Sequence, residues 1–240
     1  MSDGSILSSI NPATPIILAS GSESRKIMLE DAGIKFKTIT SAVDEDALKI
    51  KISSMPFDKQ VIELAKAKAE VVSSNNPGNI VIGGDQMCIF GNKVFDKPGS
   101  TEKAISNLKL LSGTTHFQHS GVCIFKDGMP IWEYSEVVEM NMHDLSEEEI
   151  INYVKLENPI HAAGAYKFES VGCNLFSSVD GSSYTIRGMP LLPLLNADAF
   201  KSTQVTPISP TGETPIGVLG SVSNRLMVIS SFKVLFSKVS

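Results

Sequence analysis

The chain has 240 residues, 42% hydrophobic and 20% charged, with a formal net charge of −5. That composition matches a soluble globular protein of one large domain or two lobes with a sizeable core. The acidic balance argues against a nucleic-acid or anionic-membrane surface, which needs clustered Lys and Arg, but leaves a small anionic ligand open.

Residues 1–13 read as a flexible lead-in with no basic segment followed by an apolar core, so no export signal is expected. Ile16-Ile17-Leu18-Ala19 is a short apolar strand and Ser20-Gly21-Ser22 a tight turn. Glu23 to Ala32 is a helix closed by Gly33, with Ser20 and Glu23 at capping-box spacing. A strand, small-residue turn and helix start offer free N–H groups and a partial positive charge to an anion. Arg25, a cation at the unfavourable end of that helix dipole, suggests the same, although an ordinary capped helix with a solvated arginine is the plainer reading of this unit alone.

Phe36 to Val43 reads as a strand, followed by the acid run Asp44-Glu45-Asp46, which such composition usually leaves solvated. From Phe57 to Ser73 a helix carries Val61, Ala65 and Val72 on one face, and Lys68 falls inside that apolar stripe. A lysine there either snorkels to the rim or reaches a buried anion. The continuous run Ile80 to Phe90, with Gly91-Asn92 and Lys93-Val94-Phe95 after it, is a strand buried on both faces and turning back as a hairpin. Asp85 sits in its middle. A carboxylate buried there needs a metal, a lysine or donors; the alternative is a strand-end aspartate capping the next turn.

Asp96-Lys97-Pro98-Gly99 is a turn exposing Lys97, and a helix over Glu102–Leu111 buries Ala104, Leu108 and Leu111. His116 and His119 fall on opposite faces of a strand, which disfavours a shared metal. Val122–Phe125 and Ile131–Met142 form a second hairpin, with Trp132, Tyr134, Val138, Met140 and Met142 on one core face. Ser146 and Glu149 form a capping box for a helix ending before Asn158-Pro159. Tyr166 and Phe168, after the small residues Ala162 to Ala165, either wall a ring-binding pocket or pack inside. Leu175–Val179 and Tyr184–Ile186 read as a third hairpin, followed by a Leu-rich helix through Leu195. Cys88, Cys123 and Cys173 are far apart, odd in number and set among apolar residues, and so read as buried reduced thiols, which favours the cytoplasm.

Seven stretches together resemble the Maf family of nucleotide pyrophosphatases over residues 14–197: Leu18-Ala19-Ser20-Gly21-Ser22 with Arg25, Leu64-Ala65-Lys66-Ala67-Lys68-Ala69, Gly84-Asp85-Gln86, Lys97-Pro98, Leu111 to His116, Ala163-Gly164-Ala165-Tyr166 and Gly188-Met189-Pro190-Leu191. The resemblance implies an elongated α/β fold with a long curved mixed sheet, flanking helices and a cleft between two lobes, as in Maf and ITPase-like proteins. It implies hydrolysis of a nucleoside triphosphate to monophosphate and pyrophosphate with a divalent cation, Mg or Mn, and a possible homodimer. Asp85 matches the family's proton acceptor, Arg25, Lys68 and Lys97 its cations on the phosphate side, and Asp44 or Glu45, with Asp85, its acids near the metal. Ser20, Ser22, Ser24, Gln86 and Glu169 fall at substrate-side positions. Gln86 and Glu169 are similar to the branch acting on 7-methyl-GTP, whereas the branch preferring dTTP and UTP has Thr and Gln there. Two features depart from the family: Glu23-Ser24 replaces Pro followed by Arg or Trp, which points to a broader or different nucleotide preference, and residues 198–240 form an extension of unknown role. The competing reading is a nucleotide-binding regulator of the division-inhibitor type with little turnover. A methylated-cap-binding module has poor support from the single Trp132.

Overall fold

The computed structural model describes residues 14–201. Its strands are β1 (Ile16–Leu18), β2 (Phe36–Thr38), β3 (Ile80–Phe90), β4 (Lys93–Val94), β5 (Thr115–Lys126), β6 (Met129–Met142) and β7 (Phe176–Asp180). They form one mixed sheet in the order β2-β1-β3-β5-β6-β7, with β4 paired to β3. β1 runs parallel to both β2 and β3, whereas β3–β5, β5–β6 and β6–β7 are antiparallel. The long apolar run thus takes the interior position in the sheet, where both faces are covered.

The two faces of β3 are covered by different elements, and this separation builds the site. Val81, Met87 and Ile89 pack with residues of α3 (Phe57–Ser74), including Val61, Leu64, Ala65 and Ala69. The opposite face, through Ile80 and Ile82, packs on Met28 and Leu29 of α1 (Glu23–Asp31) and on Met189, Leu191 and Leu194 around α7 (Leu191–Asn196). A third apolar cluster joins Cys88 and Tyr166 to Leu108 and Leu111 of α4 (Thr101–Leu111) and Ile150 and Val154 of α5 (Glu147–Glu157). Gly83 permits close packing of α3, because a Cβ there would lie 2.3 Å from the Ala65 carbonyl oxygen. Since residues two apart on a strand share a face, Asp85 also points at α3, one helical turn along, where Lys68 follows Ala65.

Several expectations from the sequence are corrected. The strand expected over 36–43 ends at Thr38, and the acid run opens a helix, α2 (Glu45–Ile52), with Asp44 as its N-cap. Ser22, not Ser20, caps α1. Tyr184–Ile186 lies in the short helix α6 (Ser183–Ile186), so the third hairpin does not form; β7 pairs with β6 instead. Trp132 is half-buried and Tyr134 exposed, because the core covers only the later half of β6. Cys88 and Cys123 are buried free thiols, pushed up to about 12 by burial, but Cys173 is exposed. The short strands expected beyond residue 215 lie outside the described residues. Among the described residues no helix is long and apolar enough to cross a membrane.

Candidate active site

On the α3 side of β3, the Lys68 ammonium lies 2.7 Å from Asp85 Oδ1 and 2.9 Å from Glu45 Oε2. Lys68 and Asp85 are both 8% exposed, so this charge pair is largely withdrawn from water. Glu45 comes from the first turn of α2 and reaches inward from a more open position. One helical turn later, Lys49 donates to Asp96 Oδ1 at 2.7 Å, tying α2 to the turn that carries Lys97. Burial lowers the Lys49 ammonium, but the Asp96 hydrogen bond and charge, with Asp85 and Glu45, outweigh it and leave the group above its ordinary value.

On the other face of β3, Arg25 is buried against Gly84, where a Cβ would lie 3.0 Å from its Nε. Its Nε donates to the Gly188 carbonyl at 2.7 Å and its Nη1 to Ser20 Oγ at 3.0 Å. Burial lowers the Arg25 guanidinium, and the charges of Asp85 and Glu45 pull it back up. Ser20 Oγ also accepts the Ser22 N–H at 3.2 Å, which holds the turn into α1. Gln86, two residues from Gly84 on the same face, donates through Nε2 to the Ile186 carbonyl at 2.6 Å and to the Thr185 carbonyl at 3.3 Å. Gly188 has φ +103°, a left-handed conformation that favours glycine, and a Cβ there would meet Gln86 Oε1 at 3.0 Å. Gln86 and Arg25 therefore clamp the end of α6 and the turn after it against β3.

These elements enclose a cleft of about 910 Å³. One wall comes from the turn between β1 and α1, another from α2 and the 96–97 turn, and a third from residues 161–169. Tyr166 and Phe168 both line the cleft and both pack on Phe176. The Tyr166 hydroxyl lies 2.9 Å from His116 Nε2 and accepts from Gln118 Nε2 at 2.6 Å. His116 is fully buried and burial holds it down at about 4, while His119 is on the opposite face of β5. Burial raises the Tyr166 phenol well above its ordinary value.

The Maf-like protein family model matches residues 15–197 of the chain. The chain belongs to the Maf-like family. It is 40% identical to the nucleoside triphosphate pyrophosphatase of Legionella pneumophila (strain Corby), over 76% of this chain and 92% of that one. It is 39% identical to the nucleoside triphosphate pyrophosphatase of Nitrobacter winogradskyi, over 75% of this chain and 91% of that one. Among solved structures, a HAM1 protein from Coxiella burnetii aligns at 16% identity over 55% of this chain and 74% of that one, with a TM-score of 0.34, too slight a likeness to carry an inference.

In this Maf-like chain the structure brings Ser20, Ser22, Ser24, Arg25, Glu45, Lys68, Asp85, Gln86, Lys97 and Glu169 to the lining of one cleft. Asp44 is not among the lining residues: its carboxylate accepts the Ala47 N–H at 3.0 Å as the α2 cap. Lys97 and Glu169 are exposed at the rim, and Ser24 Oγ donates to the Arg187 carbonyl at 3.0 Å. Sequence reasoning did not single out Lys49, Gln118, Thr185 or Arg187. Lys49 lies four residues after Glu45 and was findable once the acid run is read as a helix start. The 185–188 segment carries no comparable signal, since it contributes mainly through its carbonyls.

Proposed function

We propose that this chain is a nucleoside triphosphate pyrophosphatase that hydrolyses its substrate to a nucleoside monophosphate and pyrophosphate. The observation that carries the reading is the Lys68 ammonium bridging the buried Asp85 and the half-exposed Glu45 inside a cleft also walled by the amino end of α1. The names of the Legionella and Nitrobacter relatives support the same activity.

In this reading Asp85 accepts a proton from a water that attacks the α-phosphorus. A new P–O bond forms, the bond from that phosphorus to the bridging oxygen breaks, and pyrophosphate leaves with the electron pair. Lys68 orients Asp85, and Arg25 and Lys97 offset the negative charge that builds on the phosphate oxygens. The donor set suits a magnesium or manganese ion, which the carboxylates of Asp85 and Glu45, hard oxygen ligands that both line the cleft, would hold. No group of three or more His, Cys, Asp or Glu side chains able to hold an ion occurs among the described residues, so phosphate oxygens would supply the remaining ligands. When bound, the cation would neutralise phosphate charge.

Within this class we assign the preference to a guanine ring, with 7-methyl-GTP as the proposed substrate. Gln86 has its amide nitrogen committed to two carbonyls, and Glu169 brings a carboxylate to the cleft. That carboxylate is an acceptor suited to the N1–H and amino group of guanine, and its charge favours a methylated, cationic ring. Glu169→Gln is expected to lower the preference for 7-methyl-GTP over UTP; an unchanged ratio removes the assignment. The buried thiols Cys88 and Cys123 accord with the cytoplasm as the proposed location.

The test is pyrophosphate release with magnesium or manganese across 7-methyl-GTP, GTP, UTP, dTTP and CTP, beside Asp85→Asn. Turnover that is lost in the variant supports the enzyme. Nucleotide binding without turnover in the wild type would replace it with the nucleotide-binding regulator.

A further inference from the structure

Six cationic side chains line the cleft, and most already hold an oxygen partner. Arg25 is bonded to Gly188 and Ser20, Lys68 to Asp85 and Glu45, and Lys49 to Asp96, while Lys167 Nζ donates to the Glu157 carbonyl at 2.6 Å. Lys97 and Arg187 have no hydrogen-bond acceptor or ion-pair partner among the described residues. Arg187 is the more constrained of the two. Its Nε is buried without any partner, although the residue as a whole is half-exposed and lines the cleft.

The backbone around Arg187 is fixed on both sides. Its N–H donates to the Ser183 carbonyl at 3.1 Å, and its carbonyl accepts from Ser24 Oγ at 3.0 Å. The residue before it is held by Gln86 and the residue after it by Arg25. A guanidinium offers only donors, and a buried N–H without an acceptor is uncommon in folded proteins. A long cationic side chain on a pinned backbone, with a donor withheld from bulk water, is preorganised for an oxygen that arrives with a ligand. The adjoining first turn of α1 adds the N–H groups of Glu23 and Ser24, which have no intrahelical acceptor.

We infer that Arg187 is a nucleotide-binding residue, its guanidinium donating to oxygen acceptors of the bound nucleotide. This rests on the pyrophosphatase reading for the identity of the ligand. The acceptor chemistry is shared by phosphate oxygens and by base carbonyls, and the experiment separates the two.

The full chain, Arg187→Gln and Arg187→Lys are compared for KM and kcat with GTP, UTP, ATP and CTP, for inhibition by inorganic tripolyphosphate, and for calorimetric binding of the same nucleotides. The glutamine variant is expected to raise KM about tenfold or more, the equivalent of about 1.4 kcal/mol, with the lysine variant in between. An equal rise in the inhibition constant of tripolyphosphate assigns the contact to phosphate. A rise confined to GTP and UTP, which carry a carbonyl where ATP and CTP carry an amino group, assigns it to the base. KM, inhibition and nucleotide Kd all within twofold of wild type in both variants overturn the inference. If the wild type releases no pyrophosphate, the pyrophosphatase reading fails by itself, and the nucleotide Kd values still decide the role of Arg187. Melting of the unliganded variants separates a folding defect from a binding one, and Arg187→Lys carries the test if the glutamine variant does not fold.

Discussion

Replacing Lys68 with Met removes the ammonium that lies 2.7 Å from Asp85 and 2.9 Å from Glu45. The side chains of Lys68 and Asp85 are only 10% and 11% exposed, so solvent screens their attraction weakly. At an effective dielectric of about 20, the Coulomb term for such a pair is about 6 kcal/mol before the cost of desolvating both groups is subtracted. What the variant experiences is a buried carboxylate left without its counter-charge, which costs about 3–5 kcal/mol. Glu45, with a side chain 45% exposed, contributes much less because water replaces its partner. For a domain of this size the melting temperature should fall by about 10 °C. The assay is thermal and urea unfolding of wild type, Lys68→Met, Asp85→Asn and the double variant. The double variant is expected to regain at least half of the lost stability, because an amide does not need the ammonium. A loss below about 1 kcal/mol in Lys68→Met, or a double variant whose loss is the sum of the singles, would refute the buried-pair argument.

Acid should also weaken the fold through His116. Burial depresses His116 from 6.5 to about 4 in the folded chain, so the unfolded chain takes up the proton first. Its contribution is therefore complete above about pH 6.5 and falls as the pH drops toward 4, by about 3 kcal/mol. Urea titrations at pH 7 and pH 4 should show this slope in wild type and a flatter one in His116→Gln. Gly188→Ala meets both the left-handed backbone and the Gln86 side chain, and should lower stability by about 1–3 kcal/mol with a parallel loss of nucleotide affinity, read by melting and calorimetry. The Lys49–Asp96 bridge is the contrasting case, because Asp96 is 63% exposed. Asp96→Asn should shift urea stability by less than about 1 kcal/mol, and the shift should shrink in high salt.

Much of the site was legible where one residue broke a regular pattern. A carboxylate in the apolar run of β3 and a lysine in the apolar stripe of α3 were each out of place alone, and the close approach at Gly83 sets them opposite one another. The Ser146–Glu149 capping box was legible because it is local, and both of its reciprocal bonds form. Local signals that conflict were harder to read. Asp44-Glu45-Asp46 has the composition of a solvated loop, yet acids suit the first turn of a helix, and α2 uses them there. Tyr184-Thr185-Ile186 has strand propensity, but the Ser182 side chain caps a helical turn, and burial of Thr185 and Ile186 overrides the preference. Tyr134 and Cys173 are exposed because no element covers them, information that alternation and spacing do not contain.

In the proposed reaction this cleft cleaves the bond between the α- and β-phosphates, with Asp85 taking the proton from water. Phosphorus NMR of the products formed from GTP with magnesium, for wild type and Asp85→Asn, tests it most directly. GMP and pyrophosphate are expected from wild type and unchanged GTP from the variant. Release of GDP and orthophosphate, or equal turnover by Asp85→Asn, would contradict it.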